Sequence, residues 1–248
     1  MARTYHRKIR LIADGRRITG DLVDDPHHFR VHLEHDGQRV TALQSEAIRY
    51  PWTPCPEAAQ PLQELVGMPL SPLSTAVGGH SRAIAQCTHL FDLAGLAVAH
   101  AAAGRTRRVY HCVVDGERDE VAHATLHRDG ELLLEWEVRG SIQNTTLHGA
   151  PPFDGIGLTG GFMAWAQQNL DPDLAEAAIV LRRGCMIGGV RFYDLDEVTM
   201  APEMGQLNGR CFTYSEGTVD RAYRVRGTRR DFSLDHQAML GPDPATEE

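Results

Sequence analysis

Excess basic charge, paired cysteines, a long apolar run and any familiar cofactor loop are all missing from this sequence, and each absence closes a class of function. The formal net charge is −8, whereas a nucleic-acid binder needs clustered Lys and Arg to displace counterions from phosphates. Two short basic runs, Arg105 to Arg108 and Arg221 to Arg230, have few stacking partners and read as solvated segments. The longest apolar stretch, Phe91 to Ala103, is interrupted by Asp92 and His100 and falls short of the roughly 20 residues that span a bilayer. The opening residues are charged from Arg3 to Arg10, unlike a secretory signal. Cys55, Cys87, Cys112, Cys185 and Cys211 are odd in number, widely spread and without a C-x-x-C pair. That argues against a disulfide framework or a zinc ribbon and makes the cytoplasm the expected compartment.

Cofactor signals are equally scarce. Gly155-x-Gly157 and Gly160-Gly161 lie ahead of a helix, but no strand with dinucleotide-fold spacing precedes them. There is no P-loop and no Gly-x-Ser-x-Gly elbow. The expectation is an enzyme with no cofactor and no metal.

What is present is strand meanders alternating with helices. Lys8–Ala13, Arg17–Val23, Phe29–Glu34 and Gln38–Leu43 read as short strands separated by Asp14-Gly15, Asp24-Asp25-Pro26 and Asp36-Gly37, since Asp-Gly between alternating apolar runs signals a hairpin. Pro56 opens a helix that Gly67 stops. An Ala-rich helix follows, starting at Ser81 or Cys87 and ending at Ala103 before Gly104. A second meander covers Arg107–Val114, Glu120–His127 and Glu131–Val138. After a Gly/Pro-rich loop, 144–157, helices are expected at Leu158–Asn169 and Leu174–Met186, then a strand at Cys211–Tyr214 and a short helix near Thr218–Ala222. The fold class is α+β: two antiparallel meanders (7–45 and 105–140) with helices packed against them (56–104 and 158–234). The expectation is one domain over 1–240 with a disordered tail at 241–248.

The densest polar cluster is Cys87-Thr88-His89-Leu90-Phe91-Asp92. On a helix His89 and Asp92 share a face, and Cys87 sits where a helix N-terminus favours thiolate. His89 is the candidate proton carrier, Asp92 its orienting carboxylate and Cys87 a thiol that contacts substrate or attacks it. Arg82 and His80 lie upstream. Tyr110, His123 and Trp136 on the second meander, and Arg183 on a late helix, are candidate substrate contacts. Glu176 and Arg183 lie seven apart on one helix face, and the plainer reading there is a surface ion pair worth little, more so for Arg182 than for Arg183. His27, His28, His32 and His35 supply ligand types, but they fall in turns or on a polar strand face and read as a solvated edge.

The runs Cys55-Pro56-Glu57-Ala58, Leu65-Val66-Gly67 and Cys87-Thr88-His89-Leu90 resemble the bacterial domain-of-unknown-function family DUF2889, as do Gly209-Arg210-Cys211-Phe212-Thr213-Tyr214 and Gly227-Thr228-Arg229-Arg230-Asp231-Phe232. One departure is Gln86, where a small residue is expected before Cys87. The resemblance implies a continuous domain, a site around Cys87, His89 and Asp92, and a loose association with bacteria that degrade aromatic compounds. The resulting expectation is a cofactor-independent acid–base lyase or isomerase acting on a small aromatic or phenolic molecule. The alternatives are a thiol-dependent hydrolase or acyltransferase using Cys87, and a non-catalytic aromatic-ligand carrier or accessory subunit. Neither nucleic acid nor membrane is an expected partner, and a homo-oligomer is compatible with the sequence.

Overall fold

A computed structural model of the chain describes residues 4–116, 121–140, 145–207 and 209–241. The expected tail lies outside these residues except for Gly241, as does Glu120 of the expected strand. Eight antiparallel strands and several helices confirm the α+β class. By internal contacts the described residues form two compact units. Of those residues, one unit draws on 4–8, on the described part of 109–193 and on 231–241, the other on 9–108 and the described part of 194–230.

The second of these units holds the first meander. β1 (Tyr5–Asp14) runs into it, followed by β2 (Arg17–Val23), β3 (His28–His35) and β4 (Val40–Arg49), in the order β4-β3-β2-β1. Ile18 pairs with Leu33, Gly20 with Val31 and Leu22 with Phe29, so alternate residues of β2 and β3 share the buried face. The helix expected from Pro56 is broken into Cys55–Ala58, α1 (Ala59–Leu62) and Gln63–Leu65. Pro61 inside it has no N–H to extend a regular helix. α2 (Thr88–Ala102) covers the sheet, packing on β2 and β3. Its approach depends on glycine: a Cβ on Gly20 would lie 3.1 Å from a Leu93 methyl, and one on Gly95 would lie 2.1 Å from the Ser74 carbonyl oxygen.

The other unit holds β5 (Arg107–Asp115), whose first two residues belong to the former unit, then β6 (Ala122–Arg128), β7 (Glu131–Arg139) and β8 (Thr146–His148), ordered β5-β6-β7-β8. Strand β8 falls in the stretch expected to be a loop. Helices α3 (Phe162–Asn169) and α4 (Pro172–Gly188) follow. α3 starts four residues later than expected because Gly160 and Gly161 are left-handed, at φ 62° and 100°, a conformation a helix cannot include. Asp171 caps α4, accepting from the N–H groups of Asp173 and Leu174 at 3.1 Å each. Cys211–Tyr214 is not a strand: Phe212–Tyr214 is a single 3₁₀ turn. No helix among the described residues is long and apolar enough to cross a membrane.

Candidate functional site

The most concentrated polar chemistry begins in the turn between β2 and β3. Asp24 is fully buried, an arrangement that costs free energy unless its oxygens are satisfied. Its Oδ1 accepts the His27 backbone N–H at 2.9 Å and the His27 ring Nδ1–H at 2.8 Å. The Asp24 N–H donates to the His27 carbonyl at 3.0 Å, closing the turn. Arg49, at the end of β4, clamps it from outside, donating to the Asp24 carbonyl at 2.7 Å, the His27 carbonyl at 2.8 Å and the Asp25 carbonyl. Burial lowers its pKa to about 10, still a cation at neutral pH.

The first turn of α2 brings His89 against this turn. Its ring centroid lies 3.8 Å from that of His27, with the planes 35° apart, and Phe29 stacks beside both rings at 5.6 and 5.8 Å. Asp24, His27 and His89 each offer one ligand-type atom, and these atoms lie within 4.8 Å of one another. The His27 side chain keeps 11% of its surface exposed, while the Asp24 side chain keeps none. The geometry is therefore an imidazole aimed by a buried carboxylate, with a second imidazole tilted against it.

His89 is thus inside the cluster. Its ring contacts are with His27 and Phe29, and the carboxylate of the array is Asp24. Asp92 is half-buried on α2. His27 does not sit on a solvated edge as its sequence position suggested, because the turn folds its ring under α2. A signal was present: an Asp three residues before a His across a proline is an Asx-type turn that can aim the ring. Cys87 is the N-cap of α2, buried, and desolvation pushes its thiol well above the usual range. Burial therefore outweighs the helix dipole that favoured thiolate. Gln86 takes an extended conformation (φ −107°, ψ 152°) that any residue adopts, and its side-chain amide donates to the Pro61 carbonyl and Ser81 Oγ, both at 2.7 Å. Arg82 and His80 are exposed. Arg82 lines a cavity of about 640 Å³ with Gln60, Glu64, Ile84 and Phe212.

The remaining candidates belong to the other unit. Tyr110 is fully buried and its hydroxyl donates to Glu176 Oε1 at 2.5 Å, so that group is engaged within the protein. Glu176 is accordingly a buried anchor between α4 and β5 and not a surface residue, and Arg183 is half-buried on α4. Trp136 is core, packed on Phe153 and Phe162 at 5.1 and 6.1 Å. His123 is exposed and pairs across strands with Glu137, which in turn faces His148. These residues border a cavity of about 700 Å³ that also touches Trp136, Pro152 and Phe153.

Among curated proteins none matches the chain. The blocks around 209–232 that suggested a family resemblance lie beyond the stretch that a family model matches. Residues 6–103, which include Asp24, His27 and His89, match the model described as a protein of unknown function, DUF2889, and over that stretch the chain resembles this family.

Proposed function

We propose that the chain is a cytoplasmic enzyme that moves a proton on a small aromatic or phenolic molecule, as a lyase or isomerase, at the Asp24–His27–His89 cluster. The observation that carries the reading is the buried Asp24 carboxylate accepting the His27 ring N–H at 2.8 Å. A carboxylate in that position fixes the tautomer and ring orientation, which leaves Nε2 as the basic atom, and it stabilises the imidazolium formed when Nε2 takes a proton. His89 against the same ring supplies a second proton acceptor or donor. The Phe29 ring beside both imidazoles suits a flat apolar substrate. A phenol or carbonyl on the substrate serves as its own electron sink, so the step needs no organic cofactor. The thiol reading loses support because the Cys87 thiol is held protonated.

The test is incubation of the purified protein with a panel of phenolic monomers and dimers, followed by mass spectrometry and chromatography. Loss of water, formaldehyde or carbon dioxide identifies a lyase, and a new isomer of unchanged mass identifies an isomerase. His27→Ala is expected to abolish turnover with the fold intact. Full activity in that variant overturns the site, and tight binding with no chemical change overturns the enzyme reading in favour of a carrier.

A further inference from the structure

We propose that Asp24, His27 and His89 form a binding site for one divalent transition-metal ion of the zinc class. The inference takes only the location of the site from the reading above. Two imidazoles and a carboxylate are the donor set of zinc and neighbouring first-row ions, whereas calcium and magnesium favour all-oxygen shells. The three candidate donor atoms lie within 4.8 Å of one another, on three buried residues.

The distances allow an ion as well as a proton. Asp24 Oδ1 and His27 Nδ1 are 2.8 Å apart, and two ligands each about 2.0–2.1 Å from one ion at a right angle have nearly that separation. The ion would take the place of the proton that these two groups share. The candidate donor nitrogen of His89 lies within 4.8 Å of both of these atoms. Three protein ligands leave a position open for water or substrate, the pattern of catalytic zinc.

The surroundings resemble the outer shell of a metal site. The His27 backbone N–H holds Asp24 Oδ1 at 2.9 Å, and Arg49 fixes the carbonyls of both Asp24 and His27, so ligand positions are set before binding. Around Arg49 the carboxylates of Asp24 and Asp25 balance the cations of Arg49 and Arg230, so the surroundings add no net positive charge against a dication. Held by the two imidazoles and the carboxylate, such an ion would supply an acidified water beside the substrate space, and His27 and His89 would then serve as its ligands.

The experiment is titration of chelator-stripped, full-length protein with Co²⁺, read by its visible absorption, and with Zn²⁺ by calorimetry. One ion per chain is expected, with affinity at least about tenfold weaker in His89→Gln and in Asp24→Asn. His32→Gln, on a neighbouring strand, should leave it unchanged. Circular dichroism establishes that each variant is folded, and the neutral His89→Gln change serves where removing the buried Asp24 charge unfolds the chain. Absence of saturable binding, or equal affinity in every folded variant, overturns the proposal. Turnover measured in parallel separates the two readings. Activity that persists in the stripped protein overturns any part for the ion in turnover and leaves the imidazole chemistry. A bound ion with no turnover on any panel compound overturns the enzyme reading and leaves the metal site.

Discussion

A buried carboxylate must have its lone pairs occupied, and two of the donors that occupy those of Asp24 belong to His27 alone. Replacing Asp24 by Asn keeps an oxygen for the backbone N–H but removes the charge that stabilises a protonated His27 ring. The expected result is a loss of turnover of about 10²- to 10⁴-fold with circular dichroism unchanged; activity within threefold of wild type would remove Asp24 from the mechanism. Cys87 makes the opposite prediction. Its thiol is buried and pushed up by desolvation, so iodoacetamide should label it only on unfolding. Cys87→Ala should keep turnover while costing roughly 1 kcal/mol of stability, and rapid native labelling with loss of activity would revive the nucleophile. The position of His89 in the first turn of a helix, within a polar cluster, was legible in the sequence. Asp24 and His27 were not, since a turn of Asp and His looks solvated until a helix from a distant part of the chain covers it.

Helix α2 delivers His89, and its seating rests on the absence of side chains at two glycines. Gly95→Ala would drive a Cβ into the Ser74 carbonyl, 2.1 Å away. A clash with backbone relaxes poorly, so a loss of about 2–3 kcal/mol is expected in urea unfolding, and an unchanged midpoint would mean that the helix can shift. At α4 the relevant interaction is the cap: Asp171→Ala removes the acceptor for two N–H groups and should cost about 1 kcal/mol. Strands and hairpins were the most legible elements, Arg17–Val23 appearing with the same bounds, because alternation and Asp-Gly turns are local signals. The Pro56 stretch is helical as expected but divided into 3₁₀ and α turns around Pro61, whereas the Cys211–Tyr214 strand was misread because local apolar content was a poor guide there.

At the scale of the molecule, pH acts through a second histidine group. His6 Nδ1 and His111 Nε2 lie 3.0 Å apart, and the His236 ring stacks on both at 4.8 and 5.2 Å. Burial first, then neighbouring His236 and Lys8, lowers His6 to about 4. Burial, then Lys8, His6, His236 and His127, lowers His111 to about 3. An unfolded chain takes up these protons near pH 6.5, so from there down towards pH 3 it binds more protons than the fold. Stability contributed by these groups is therefore full above about pH 7 and declines as pH falls through that window. The urea midpoint should drop between pH 7.5 and pH 5, and the drop should be smaller in His111→Asn. An equal drop in the variant would place the pH dependence elsewhere.

The sequence by itself determined the α+β class, the two meanders, the long Ala-rich helix and the polar cluster at its head, because periodicity, turn chemistry and helix propensity act over a few residues. Only the tertiary structure decided that Tyr110 is tied to Glu176, that Cys87 is desolvated, and that Asp24 and His27 meet His89. Each of those outcomes depends on which chain segment excludes water from a given side chain, and segments more than 60 residues apart in sequence leave no local pattern of their meeting.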